Sequence, residues 1–178
     1  MNALLEPSVI EALYQASKAG VEIDLIVRGL CILRPGLKGL SDRIQVRSIV
    51  GRFLEHSRIF HFANGGDNEI YIGSADWMPR NLFERCEVVF PVRDPIARAR
   101  IHNEILPAYL ADTIKARLQQ PDGTYARASK VLKDAKPFSS QDFLMQLAEG
   151  KVELDAIPKP TAAKPPAKSA AKKAHATN

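Results

Sequence analysis

His56-Ser57-Arg58 sets an imidazole two residues from a guanidinium, at the entry to an apolar run. Histidine can give or take a proton near neutrality or carry a phosphoryl group itself. A cation two residues on could neutralise charge on that group. Two short segments follow: Asn64-Gly65-Gly66, then Gly73-Ser74-Ala75-Asp76. Asn64 and Ser74 offer neutral donors to phosphate oxygens, and the glycines allow close approach of backbone. Upstream, Arg28 closes an apolar run, and its planar guanidinium suits bidentate contact with phosphate. The ordinary alternatives are a surface salt bridge for Arg28 and a hydrogen-bonded structural role for His56.

The elements that must position these residues read as an α/β chain. Pro7 opens a helix, with Val9, Ile10, Leu13 and Tyr14 at helical spacing up to Gly20. The run Val21 to Val27 is rich in β-branched residues and predicts a buried strand ending at Arg28-Gly29, where an α/β sheet gathers ligands. A loop over Leu33 to Asp42 precedes a second strand over Ile44 to Val50. Arg58 to Ala63 and Glu69 to Ser74 predict a hairpin around the Asn64–Asn68 loop. Alternation puts Arg58, Phe60 and Phe62 on one face, with Ile59, His61 and Ala63 on the other. Arg85 to Val92 predicts a further strand. Asp94-Pro95 then caps a helix that Pro107 is expected to kink, and a last helix is centred on Asp142 to Leu147.

Composition narrows the function classes. No apolar run approaches the roughly 18 residues of a membrane-spanning helix. Cys31 and Cys86 share no metal-ligand spacing and are expected to be reduced, buried structural thiols. The formal charge of +5 is matched by the five lysines beyond residue 155, where no acidic residue occurs. The rest is therefore neutral overall, and specific nucleic-acid binding is not indicated. Residues 1–150 are expected to form the folded domain. Residues 151–178, rich in Ala, Pro and Lys, are expected to be a disordered tail that meets polyanions through charge alone.

The order H-x-R, N-G-G, G-S-x-D resembles a half-site of the phospholipase D superfamily, H-x-K followed by G-S-x-N. Here Arg58 replaces the lysine, Ala63 falls at the aspartate and Asp76 stands for the asparagine, which argues against a plain phosphodiesterase. The runs over residues 23–36 and 48–60, then Asn-Gly-Gly-Asp (64–67) and Ser-Ala-Asp-Trp-Met-Pro-Arg-Asn (74–81), closely resemble polyphosphate kinases. The likeness runs from about Asn2 through Ala128. It implies a phospholipase D-like α/β fold, a mixed sheet flanked by helices, followed by the disordered tail. It implies an ATP–polyphosphate phosphotransferase that moves the terminal phosphoryl group of ATP reversibly onto polyphosphate through a phosphohistidine. At matching positions, His56 would contact the ATP phosphates as catalytic acid or base, and Arg28 would bind ATP. Arg58, Asn64 and Ser74 complete the expected phosphate site.

The same resemblance places the phosphorylated histidine, the magnesium-binding residues and the base-binding tyrosine upstream of these residues. Met1 then reads as an internal methionine of a longer chain, and the fragment as inactive alone. ATP and ADP are the expected substrates, with Mg2+ held by the upstream region and no metal site here. Expected partners are polyphosphate, the upstream domains and further copies of the full-length enzyme. The expected location is the cytoplasm or the membrane periphery. Two other readings stay open: a homodimeric phospholipase D-like phosphodiesterase with paired His56 residues, and a non-catalytic module binding polyphosphate or nucleotide. His61 is read as packing or a partner contact, His102 as solvated and Trp77 as core. Arg80 and Asn81 are within plausible reach of the cleft.

Overall fold

The computed structural model describes residues 1–160. Helix α1 spans Pro7–Lys18, with Pro7 in its first turn and the Glu6 carboxylate accepting from the Ser8 amide. It leads into β1 (Ile23–Ile26), which pairs in parallel with β2 (Ile44–Ile49). Gly20, at φ +98°, makes the turn between them in a region open to glycine and costly for other residues. Two later strands complete this sheet antiparallel, β6 (Ala116–Gln119) and β7 (Tyr125–Arg127), in the order β1-β2-β6-β7. They carry four and three residues, too few for alternation to announce them in the sequence.

The second sheet is antiparallel and three-stranded: β3 (Arg58–Phe62), β4 (Glu69–Gly73) and β5 (Val89–Pro91). The hairpin expected over Arg58 to Ser74 is present, with Arg58 opposite Gly73 and Phe62 opposite Glu69. The mixed α/β architecture is therefore as the sequence implied, but the strands form two sheets rather than one. Leu4 bridges them, pairing in parallel with both Cys31 and Trp77.

Asp94 caps α2 (Pro95–Arg100) by accepting from the Ala97 amide at 2.7 Å. The helix does not bend at Pro107 as a simple kink. A π-type turn over Ile101–Ile105 intervenes, and α3 (Leu106–Ala111) restarts with the proline in its first turn, where no N–H is needed. Two helices follow, α4 (Ala128–Val131) and α5 (Ser140–Ala148). The buried Asp112 carboxylate fixes α5 by accepting from the Ser140 amide and hydroxyl, both at 2.8 Å.

The main core joins Leu4, Ile10, Leu25, Val27, Leu33, Ile44 and Val46, and Trp77 packs against it while stacking on Phe60 at 5.2 Å. Trp77 is thus core, as its sequence context implied. Of the two cysteines, both free, Cys31 is half-buried against this core, whereas Cys86 is exposed, because the strand expected from Arg85 begins only at Val89. Val152 and Ile157 pack against Phe138 and Phe143. Residues 161–178, which make up most of the tail expected to be disordered, lie outside the described residues.

Candidate functional site

His56 is exposed at the end of a loop over residues 50–57 that leaves β2 and enters β3. That loop is tied down from a distance. The Gln141 side chain, almost wholly buried at the start of α5, accepts from the Phe53 amide at 3.0 Å. Its amide nitrogen donates to the Phe53 carbonyl at 3.0 Å and to Glu55 Oε1 at 2.8 Å. Gly51 is what lets it in, since a Cβ there would run into the Gln141 amide. Tyr109 closes the other side of Glu55; burial and its hydrogen bond with that carboxylate push the phenol well up.

Arg28 leaves the end of β1 and reaches the same loop. Its Nη1 donates to the Glu55 carbonyl at 2.8 Å, and its Nε and Nη2 donate to Asn2 Oδ1 at 2.9 and 2.6 Å. A guanidinium carries five N–H donors, so two beyond these three can meet an anion. Arg28 also lines a cavity of about 320 Å³ with Glu55, Ser57, Ile59, His61 and Tyr109. Arg28 therefore holds the backbone of Glu55, the residue next to His56.

Arg58, expected in the phosphate site, is buried and paired with other protein groups. It is 9% exposed and forms a bidentate pair with Asp76, itself 3% exposed, at 2.7 and 3.2 Å. Burial by itself would raise the Asp76 carboxyl. Hydrogen bonds from Arg58 and from the Asn2 and Ala3 amides outweigh it and hold the carboxyl below its usual value. The remaining Arg58 nitrogen, Nη1, sits 2.8 Å from both His56 Nδ1 and the His56 carbonyl. Arginine only donates, so Nδ1 is the acceptor and the neutral ring's proton lies on Nε2. The sequence departures of Arg58 and Asp76 thus explain each other: together they make a buried pair that orients the imidazole.

Ser74 follows Gly73, the partner of Arg58, and so lies at this end of the hairpin. Its hydroxyl donates to Glu87, while the oxygen accepts from the Val88 amide at 3.1 Å. Glu87 also accepts from the buried Asn81 at 2.5 Å, and the bonds from Ser74 and Asn81 hold its carboxyl below the ordinary value. An anionic carboxylate therefore occupies the position where Ser74 and Asn81 were expected to face a ligand. Asn64 is also misplaced in the sequence reading. It sits at the far tip of the hairpin, donating to Glu69 at 3.0 Å. The five residues of β3 hold it about 13 Å or more from His56 at roughly 3.3 Å per residue.

His61 falls on the face opposite Arg58, as alternation predicted. Its Nε2 is 3.1 Å from Asn68 Oδ1, and its ring lies 5.1 Å from that of His102, which is exposed. The residues that organise His56 and that sequence reasoning missed are Asn2, Glu55, Gln141 and, as a partner of Arg58, Asp76. Only Asp76 carried a local signal, through its place in the G-S-x-D string. Among the described residues there is no group of three or more His, Cys, Asp or Glu side chains that could hold a metal, and no helix long and apolar enough to cross a membrane.

The sequence family described as polyphosphate kinase C-terminal domain 2 matches residues 1–141. The polyphosphate kinase of Burkholderia vietnamiensis is 58% identical over 138 residues, covering 76% of this chain and 20% of that protein. The polyphosphate kinase of Xylella fastidiosa is 51% identical over 146 residues, covering 82% of this chain and 21% of that protein. The crystal structure of polyphosphate kinase from Porphyromonas gingivalis superposes with a TM-score of 0.79 at 45% identity, over 85% of this chain and 23% of that one. The chain spans about a fifth of the length of the curated relatives it matches. It belongs to the polyphosphate kinase family, as a form of that family's C-terminal domain.

Proposed function

We propose that this chain supplies the His56–Arg28 portion of a polyphosphate kinase site, in which the terminal phosphoryl group of ATP passes reversibly to polyphosphate through a phosphohistidine. The observation that carries the reading is the hydrogen bond from Arg58 to His56 Nδ1, which leaves Nε2–H directed outward from an exposed ring. A ring held in that tautomer is a donor rather than a nucleophile. It fits hydrogen bonding to a transferring phosphoryl oxygen. Arg28 fits beside it as a fixed cation with two N–H donors for phosphate oxygens. The nucleophilic histidine then lies outside these residues. In this reading the ligands of Mg2+ come from the rest of the enzyme. Association with the remaining domains, and of full-length copies with one another, belongs to the same reading.

The test uses γ-labelled ATP, with the chain alone and with the remainder of a polyphosphate kinase supplied as a separate polypeptide. Label transfer to histidine and to polyphosphate is expected only in the mixture. Self-phosphorylation of the chain alone, abolished by His56→Ala, would overturn this reading and favour the paired-histidine phosphodiesterase.

A further inference from the structure

Arg117 on β6 and Arg127 on β7 are directly opposed in the antiparallel ladder. Residues so paired put their side chains on one face with Cβ atoms about 4.5–5.5 Å apart, where like charges repel. Both arginines are exposed, and among the described residues neither guanidinium meets a carboxylate, a carbonyl or a ring. The pair therefore costs stability in the free protein, and an anion bridging the two cations removes that cost. Its place in the sheet bears on which anion. Ile49, Ala116 and Leu118 turn to a core on one side of the sheet, and Ile49 also lines the cavity that Arg28 enters. Ser48 opposes Arg117 on the other side. The row Ser48, Arg117, Arg127 spans two strand spacings, about 10 Å. It lies at the end of β2 from which the His56 loop departs, and the Ser48 hydroxyl donates to the Arg28 carbonyl at 2.7 Å. The two cations thus occupy the same end of the sheet as Arg28 and His56, on the face away from the cavity.

We propose that Arg117 and Arg127 form a second anion site, which holds a linear polyphosphate chain away from its reacting end. Two guanidinium forks side by side suit successive phosphate groups of one chain, each fork taking oxygens in pairs. A chain whose terminus lies at Arg28 and His56 passes round the end of β2 and presents its remainder to the pair at high effective concentration. Such a site rewards chain length, and ATP, with no phosphate chain beyond its own, gains nothing from it. Nucleic acid fits this face less well. Single strands add base stacking on exposed rings to their charge. Tyr125, opposite Gln119 on the same face, turns its hydroxyl into the interior.

The identity of the chain as polyphosphate rests on the function proposed above, but binding needs no phosphoryl transfer, so the two readings can fail separately. The full 178-residue chain is titrated with linear inorganic polyphosphate by isothermal calorimetry over a range of salt. Arg117→Gln combined with Arg127→Gln should weaken binding at least tenfold. It should also lower the slope of log affinity against log salt by about one to two, the loss of two phosphate contacts. Lys18→Gln combined with Lys38→Gln removes two exposed lysines ahead of β1 and β2, at the other end of the sheet, and should change affinity less than twofold. ATP affinity should stay within twofold in the arginine variant. Unchanged polyphosphate binding in that variant would overturn the proposal. So would an equal loss in the lysine variant, which would make the effect one of bulk charge. An equal loss of ATP binding would place the pair in the ATP site, and an equal loss of binding to single-stranded RNA of matched charge would remove the preference for polyphosphate; either would also overturn it.

Discussion

The two ends of the β3–β4 hairpin contrast sharply. At the His56 end, Arg58 and Asp76 are buried, paired and crossed by amides from residues 2 and 3, while Gln141 and Arg28 hold the adjoining loop from two other elements. At the Asn64 end, Asn64, Gly65 and Gly66 all have positive φ, and the side chains are exposed. Both ends carry residues whose chemistry suits phosphate. Only the first is held rigidly from several directions, and a transferring phosphoryl group needs donors fixed before it arrives. Positive φ at the second end serves chain reversal.

The largest effect that would sharpen this contrast is on catalysis. In the complemented enzyme, His56→Gln should lower turnover by about 10² to 10³, the usual cost of losing a hydrogen-bond donor fixed on developing charge, with little change in ATP affinity. His102→Gln, exposed and outside the lining of the Arg28 cavity, should leave turnover within a few-fold. If the two variants were equally damaging with the fold intact, the assignment of the site to the His56 end would fail.

Next comes stability. Asp76→Ala leaves the Arg58 cation buried without its partner and should cost about 3–5 kcal/mol in urea or thermal unfolding. Arg58→Met combined with Asp76→Leu should recover part of that loss, because no unpaired charge remains although the Asn2 and Ala3 amides lose their acceptor, yet turnover should stay low because nothing donates to His56 Nδ1. Recovery of turnover together with stability would show that Arg58 does not position the ring. Arg28→Lys should weaken ATP binding by about 1.5–3 kcal/mol, the range for hydrogen bonds to charged groups, as isothermal titration would show.

A further effect depends on pH. The folded Asp76 carboxyl is depressed from 3.8, so its contribution to stability is complete above that value and is lost as pH falls through the lower folded value. Acid unfolding curves of the wild type should show this component, and Asp76→Asn should lack it. The smallest effect is expected at the hairpin tip. Asn64→Gly removes an exposed hydrogen bond but relieves a non-glycine residue at φ 42°, so stability should move by no more than about 0.5 kcal/mol and turnover not at all. A large loss of turnover there would erase the distinction between the two ends.

Much of the molecule was decided locally and could be read from the chain. Pro7 and the Asp94-Pro95 pair start helices by local capping. The β-branched run before Arg28 makes a strand, and alternation alone set His61 against Arg58. The motif order placed His56 and Arg28 in one family. Tertiary structure decided what each polar side chain is free to do. Asn64, Ser74 and Arg58 have the right chemistry for phosphate. However, register carries Asn64 to the far tip, Glu87 takes the Ser74 proton, and Asp76 draws Arg58 into the interior. Gln141 lies 85 residues from His56 in the chain yet fixes its loop, and no local pattern could signal that. Donor type is a property of a residue, whereas donor availability depends on every neighbour that folding brings within hydrogen-bond distance.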